Sequence, residues 1–189
     1  MSWKSGRTTK EKTMTEKIHV MIDEQEINVK IRELAEKINK DYEGKALHLI
    51  CILKGSAFFA CDLAKHLTVP TTIDFMSISS YGSGTVSSGI VRLAKDLDEP
   101  VEGKHLLVVE DIVDSGRTLS HLKNLLETRK PASLKICTLL DKPERRVVPM
   151  EVDYTCFVIP DKFVVGYGLD YDQKYRNLPY VGVVEFVEE

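Results

Sequence analysis

Residues 106–119 read LLVVEDIVDSGRTL. Four apolar residues, Leu106 to Val109, form a buried strand that ends in two adjacent acids, Glu110 and Asp111. A turn follows with Asp114, Ser115, Gly116 and Thr118, and a helix then begins at Arg117. The turn has the makings of an anion site: Gly116 permits positive φ and close backbone approach, Ser115 and Thr118 offer hydroxyls, and the helix start presents unpaired N–H groups. Neither GxxxxGK[ST] nor GxGxxG is present, so the common nucleotide loops do not apply. The acids look out of place beside a phosphate unless they face vicinal hydroxyls or a divalent cation. Taken alone, the turn also reads as a helix capped by Asp114 or Ser115 with the acids solvated. Two acids at the end of a buried strand argue against that plainer reading.

Working outward, the chain alternates strand and helix. Apolar residues from Asn28 to Lys40 recur at helical spacing, and Gly44 ends the pattern. Ala46–Leu53 reads as a buried strand, Gly55–Leu67 as a helix ending before Pro70, and Thr71–Ser79 as an alternating strand. In residues 79–89, SSYGSGTVSSG, eight of eleven positions are Ser or Gly, a composition that predicts a mobile loop. Ile90–Lys95 is a short strand able to pair back antiparallel; Lys104–Glu110 is a strand, Arg117–Thr128 a helix and Ser133–Leu140 a strand. This order predicts an α/β fold, a mostly parallel central sheet flanked by helices, with functional loops at the carboxyl ends of the strands. The last 40 residues carry short strand-like pieces (FVI, FVVGY, YVGVVEFV), many aromatics and prolines, and are expected to form a small hood over the sheet.

Composition narrows the function class. Of 189 residues, 43% are hydrophobic and 29% charged, as in a soluble globular protein. A net charge of −3 gives nucleic acid no global electrostatic attraction, and no apolar run approaches the roughly 18 residues of a membrane span. Neither nucleic acid nor membrane is therefore expected as a partner. Cys51, Cys61, Cys137 and Cys156 show no C-x-x-C spacing and read as structural thiols in a reducing, cytoplasmic setting. Residues 1–13 are basic and polar without an apolar stretch, and read as a tail rather than a secretory signal. Residues 14–189 are expected to form one domain, with the hood mainly from about residue 150 onward.

The 106–119 segment resembles the phosphoribosyl-pyrophosphate signature of the type I phosphoribosyltransferases: apolar strand, two acids, two apolar residues, Asp, Ser or Thr, Gly, any residue, Thr. Three further stretches resemble the hypoxanthine–guanine phosphoribosyltransferases. Leu53-Lys54-Gly55 is similar to that family's pyrophosphate loop, in which a non-proline cis peptide precedes the lysine. Ser80-Tyr81 matches its lid, and DKFVVGYGLDYDQKYRNLPYVG, residues 161–182, matches its base-binding hood. The resemblance spans roughly residues 18 to 187.

It implies a type I phosphoribosyltransferase fold and a Mg²⁺-dependent purine-salvage reaction. The phosphoribosyl group of phosphoribosyl pyrophosphate passes to hypoxanthine or guanine, and pyrophosphate is released. The turn Asp114, Ser115, Gly116, Arg117 and Thr118 would hold the 5′-phosphate. Glu110 and Asp111 would face the ribose hydroxyls, directly or through Mg²⁺-bound water, and Asp114 would also serve as general base or acid at the purine N7. Lys142 would donate to the exocyclic O6, Phe163 would stack on the purine, and the Val164 backbone would read its Watson–Crick edge. Asp170, beside the base, would bind Mg²⁺ with pyrophosphate, and Lys54, Gly55 and Arg176 would contact the pyrophosphate. The metal set implied is Glu110, Asp111 and Asp170, and the assembly a homodimer or homotetramer. Rival readings are a transferase preferring xanthine or a pyrimidine, a non-catalytic regulator of the same fold that binds nucleotides or RNA, and a generic nucleotide-binding α/β protein.

Overall fold

The computed structural model describes residues 14–80 and 91–188. The tail, and the lid except for the backbone of Ser79 and Ser80, lie outside the described residues, so the expectations for them and for Tyr81 go with them. Nine strands and three helices follow one another as β1 (Met14–Ile22), α1 (Glu24–Asp41), β2 (Leu47–Leu53), α2 (Ala57–His66), β3 (Thr71–Ser80), β4 (Val91–Lys95), β5 (His105–Val113), α3 (Arg117–Glu127), β6 (Ser133–Asp141), β7 (Tyr154–Val158), β8 (Val164–Val165) and β9 (Val181–Glu188). Six strands form the central sheet in the order β4-β3-β2-β5-β6-β7. All its pairings are parallel except β3 with β4.

Strand periodicity splits the core in two. Leu49, Cys51, Leu107, Val109, Cys137 and Leu139 point to one face, where they pack against α1 and α2. Ile50, Ile52, Leu106, Val108 and Ile136 point to the other, against Leu119, Leu122 and Leu126 of α3. Because both faces are covered, β2 reads as a continuous apolar run with no polar alternation.

Helix α1 begins four residues before the expected Asn28. The reason is a capping box: Asp23 Oδ1 accepts from the Glu26 amide at 2.8 Å, and the Asp23 amide donates back to Glu26 Oε2 at 3.2 Å. Strand β5 runs three residues past the expected Glu110, through paired Ile112 and Val113. The two acids are thus inside a strand and not at its end.

The C-terminal region differs more. The Phe157-Val158-Ile159 piece is not part of the hood: β7 lies beside β6 as the parallel edge strand of the central sheet. A single 3-10 turn, Pro143–Arg145, stands in the crossover where a helix would be usual. The hood is a separate three-stranded sheet, β1-β9-β8, and its first strand comes from the other end of the described chain. Its buried Val164, Tyr167, Leu169 and Val181 join the core on the α1/α2 side.

Tyr154 of β7 is buried, with its hydroxyl donating to Asp41 Oδ2 at 2.8 Å and accepting from Lys135 Nζ at 3.1 Å. Tyr154→Phe deletes those bonds without a cavity and far from the strand ends that carry the polar loops. Thermal denaturation should show a loss of about 1 kcal/mol, or about 2–4 °C in Tm for a chain of this size, with catalytic rates unchanged.

Candidate active site

Where β5 ends, the chain turns through Asp114, Ser115 and Gly116 into α3. Gly116 has φ +79°, and a Cβ there would stand 3.0 Å from Arg146 Cδ and 3.1 Å from the Val148 carbonyl. The segment after β6 wraps the turn closely enough to explain this: the amides of Val147 and Val148 both donate to the Ser115 carbonyl, at 3.0 and 3.2 Å. Between the turn and β5 lies a cleft of about 150 Å³, lined by Glu110, Ile112, Asp114, Ser115, Gly116 and Thr118 among others. A small anion fits its size, and the α3 N-terminus supplies the backbone donors.

Within β5, Asp111 carries its carboxylate against Gly55. Glu110 lines the cleft, and its buried Oε2 has no hydrogen-bond partner. Burial first, and then the charge of Asp111, push the Glu110 carboxyl well above the usual carboxylate range. Asp111 is raised by burial too, partly offset by hydrogen bonds, including one from the Ile112 amide at 2.7 Å, and by Arg176.

On the Asp111 side the packing leaves no room for a side chain. A Cβ on Gly55 would lie 1.5 Å from Asp111 Oδ2, and one on Gly168, whose φ is +100°, would lie 1.9 Å from the Gly55 carbonyl oxygen. The peptide between Leu53 and Lys54 is cis, as the resemblance implies. Beside this contact stand the cations. Arg176 pairs with Asp170 at 2.7 Å and donates to the Gly168 carbonyl at 2.7 Å. Lys54 Nζ reaches Gln173 Oε1 at 3.3 Å.

The base-side residues also converge. Lys142 is 7% exposed, unlike an ordinary surface lysine; its ammonium donates to the Lys162 carbonyl at 2.5 Å and lies 3.8 Å from Asp161. Phe163 is half exposed, with its ring held edge-on by Tyr171 at 5.6 Å between centroids. Val164 is buried in β8, paired with Val183 of β9. Arg145 links the turn to this group, 3.1 Å from Asp114 Oδ1 and 3.5 Å from Asp161. Arg146 donates to the Asp114 carbonyl at 2.6 Å and is ion-paired to Asp141.

The expected site residues thus gather at the carboxyl end of the sheet, except that Tyr81 and the Ser80 side chain lie outside the described residues. One grouping is not formed. Among the described residues no three acidic, His or Cys side chains stand close enough to hold a metal, and Asp170 is engaged by Arg176. The unpartnered Glu110 oxygen and the desolvated acid pair still fit a cation brought in with the oxygens of a substrate. Residues that the sequence reading missed are Ile112, Arg145, Arg146, Asp161, Gly168 and Gln173. The first four lie at or just beyond the carboxyl ends of strands, and the charge-dense DKPERR, residues 141–146, marked two of them.

The comparisons agree with this geometry. The family model for the phosphoribosyl transferase domain matches residues 21–172. The chain belongs to the phosphoribosyltransferase family. A hypoxanthine-guanine phosphoribosyltransferase of Streptococcus thermophilus is 50% identical over 166 residues, 88% of this chain and 92% of that protein. A hypoxanthine phosphoribosyltransferase of Buchnera aphidicola is 50% identical over 175 residues, 92% of this chain and 99% of that one. The crystal structure of a hypoxanthine-guanine phosphoribosyltransferase from Bacillus anthracis superposes with a TM-score of 0.86 at 49% identity, covering 89% of this chain and all of that one.

Two substitutions probe the geometry. Gly55→Ala must displace Asp111 or the 168 backbone, and a shift of about 1 Å at a reacting centre costs on the order of 10²-fold in rate; steady-state turnover measures it. Glu110→Gln removes a desolvated carboxyl that must ionise beside Asp111 as pH rises, and keeps the shape. It should raise stability by about 1–2 kcal/mol in calorimetry while lowering turnover.

Proposed function

We propose that this protein is a purine-salvage hypoxanthine–guanine phosphoribosyltransferase, joining a 6-oxopurine to the ribose of phosphoribosyl pyrophosphate with release of pyrophosphate. The observation that carries the reading is a chain of ion pairs, Asp114–Arg145–Asp161–Lys142, which links the anion turn to a sequestered lysine. A phosphate-bearing sugar and a carbonyl-bearing base fit those two ends. The rival readings, a non-catalytic relative or a transferase for another base, find no comparable support: the 50% identities are to hypoxanthine(-guanine) enzymes over most of the chain.

The 114–118 turn binds the 5′-phosphate through its amides and hydroxyls, and Glu110 and Asp111 receive the ribose hydroxyls. Lys54 and Arg176 stabilise the charge that develops on the departing pyrophosphate. Asp114 handles the N7 proton of the base, so that the attacking ring nitrogen stays nucleophilic. Mg²⁺, held by Asp170 and the Glu110–Asp111 pair together with pyrophosphate oxygens, would add further charge neutralisation there. Phe163 stacks on the purine, and the 79–89 segment with Tyr81 excludes water. Lys142 selects the base: an ammonium has only donors, so it satisfies O6 and opposes the amino group of adenine.

We also propose a cytoplasmic homo-oligomer. Free thiols support a reducing compartment. Burial pushes Cys51 up to about 11 and leaves it unreactive. Among the described residues no helix is long and apolar enough to cross a membrane.

The test is turnover of phosphoribosyl pyrophosphate with a panel of bases, with and without chelator. Hypoxanthine and guanine should react, adenine should not, and chelation should abolish product until Mg²⁺ is restored. Preferred use of adenine, or full rate in excess chelator, would overturn the base or the metal assignment respectively. Asp114→Asn should lower turnover roughly 10²–10⁴-fold; a variant within a few-fold of wild type would reduce Asp114 to a cap.

A further inference from the structure

Residues 171–174 form a tight turn. The Lys174 amide donates to the Tyr171 carbonyl at 2.9 Å, and the Tyr171 amide returns a bond to the Lys174 carbonyl at 3.2 Å. Its two central residues both have positive φ, +49° at Asp172 and +65° at Gln173, the arrangement of a type I′ turn. Asp is at home in the first of these positions. The second favours Gly or Asn, because a side chain with a Cβ is strained there. Gln173 is also exposed, so burial does not explain it.

What the side chain does is collect charge. Gln173 Oε1 accepts from Lys54 Nζ at 3.3 Å, across 119 residues of chain, and lies 3.5 Å from the Arg176 guanidinium. The backbone amide of Gln173 donates to Asp170 Oδ2 at 2.8 Å, and Asp170 pairs with Arg176. One residue therefore touches Lys54, Asp170 and Arg176, the three groups assigned above to pyrophosphate. Lys54 is exposed, and Gln173 is the sole hydrogen-bond partner of its ammonium among the described residues.

We infer that Gln173 is a positioning residue for pyrophosphate: it holds Lys54 and Arg176 together before the substrate arrives, and this is why the turn keeps a strained side chain. The inference rests on the phosphoribosyltransferase reading. Two long cationic side chains ordered in the free protein lose less freedom on binding, so substrate and product pyrophosphate bind more tightly. The base, which meets Lys142 and Phe163, gains nothing from it. Gln173 is not a catalytic residue, since it acts through its neighbours.

The experiment compares the wild-type protein with Gln173→Gly and Gln173→Asn. Both suit positive φ; Gly removes the amide and Asn retracts it by one methylene. The measurements are KM for phosphoribosyl pyrophosphate, product inhibition by inorganic pyrophosphate, KM for hypoxanthine, and Tm. Both variants should be as stable as wild type or more so. Both should nevertheless show KM for phosphoribosyl pyrophosphate and Ki for pyrophosphate raised roughly 3–10-fold, with KM for hypoxanthine within about twofold. A purely structural role would instead lower Tm or move both substrates together, and either result overturns the inference. So does an unchanged pyrophosphate Ki in both variants. A wild-type protein that forms no nucleotide would bring down the underlying reading first, which the wild-type control alone reports.

Discussion

Most of the site depends on one contact without slack. The backbone at Gly55 is pressed against the Asp111 carboxylate on one side and Gly168 on the other. These three positions belong to the loop after β2, to β5 and to the segment between β8 and β9. Two glycines are needed because at each the space of a Cβ is already taken, and at Gly168 the backbone is also left-handed. The contact brings Lys54, the acid pair and the Asp170–Arg176 pair to one place, although more than 120 residues separate the lysine from the arginine.

Around that contact the charges are sorted. Glu110 lines the cleft of the anion turn, while Asp111 meets the glycine contact and Arg176. Arg145 and Arg146 attend Asp114 on the first side; Lys54 and Arg176 stand on the second. Glu110 is expensive in the free protein, since its buried Oε2 has no partner, and such groups persist where a ligand supplies what the fold does not.

Much of this was legible in the sequence for identifiable reasons. LLVVEDIVDSGRTL announces strand, anion turn and helix within fourteen residues, because each depends on local chemistry. Lys142, Phe163, Asp170 and Arg176 became readable only through resemblance, since an isolated lysine, phenylalanine or ion pair carries no such signal. The errors have physical causes as well. Asp23 and Glu26 form a capping box that apolar periodicity does not weigh, so α1 began too late. The Phe157 strand reads as hood because the last 40 residues are short pieces rich in aromatics and prolines, whereas a 3-10 turn makes the crossover that returns it to the central sheet. Gln173 was out of reach, because its part depends on a backbone turn and on a partner far away in the chain.

The hood carries a consequence of a different kind. Its sheet is β1-β9-β8, with Met14 opposite Glu188. On a ribosome the first of these strands emerges well before the last and must wait, unpaired, until β9 has been made. The central sheet, whose neighbours in space are mostly near in sequence, is free to assemble during that interval. Closing so long a loop is the costly entropic step, left for last. The frame that holds Phe163 and Val164 is therefore completed only once β9 has been made, and a nascent chain interrupted before β9 retains the 114–118 turn but lacks that frame.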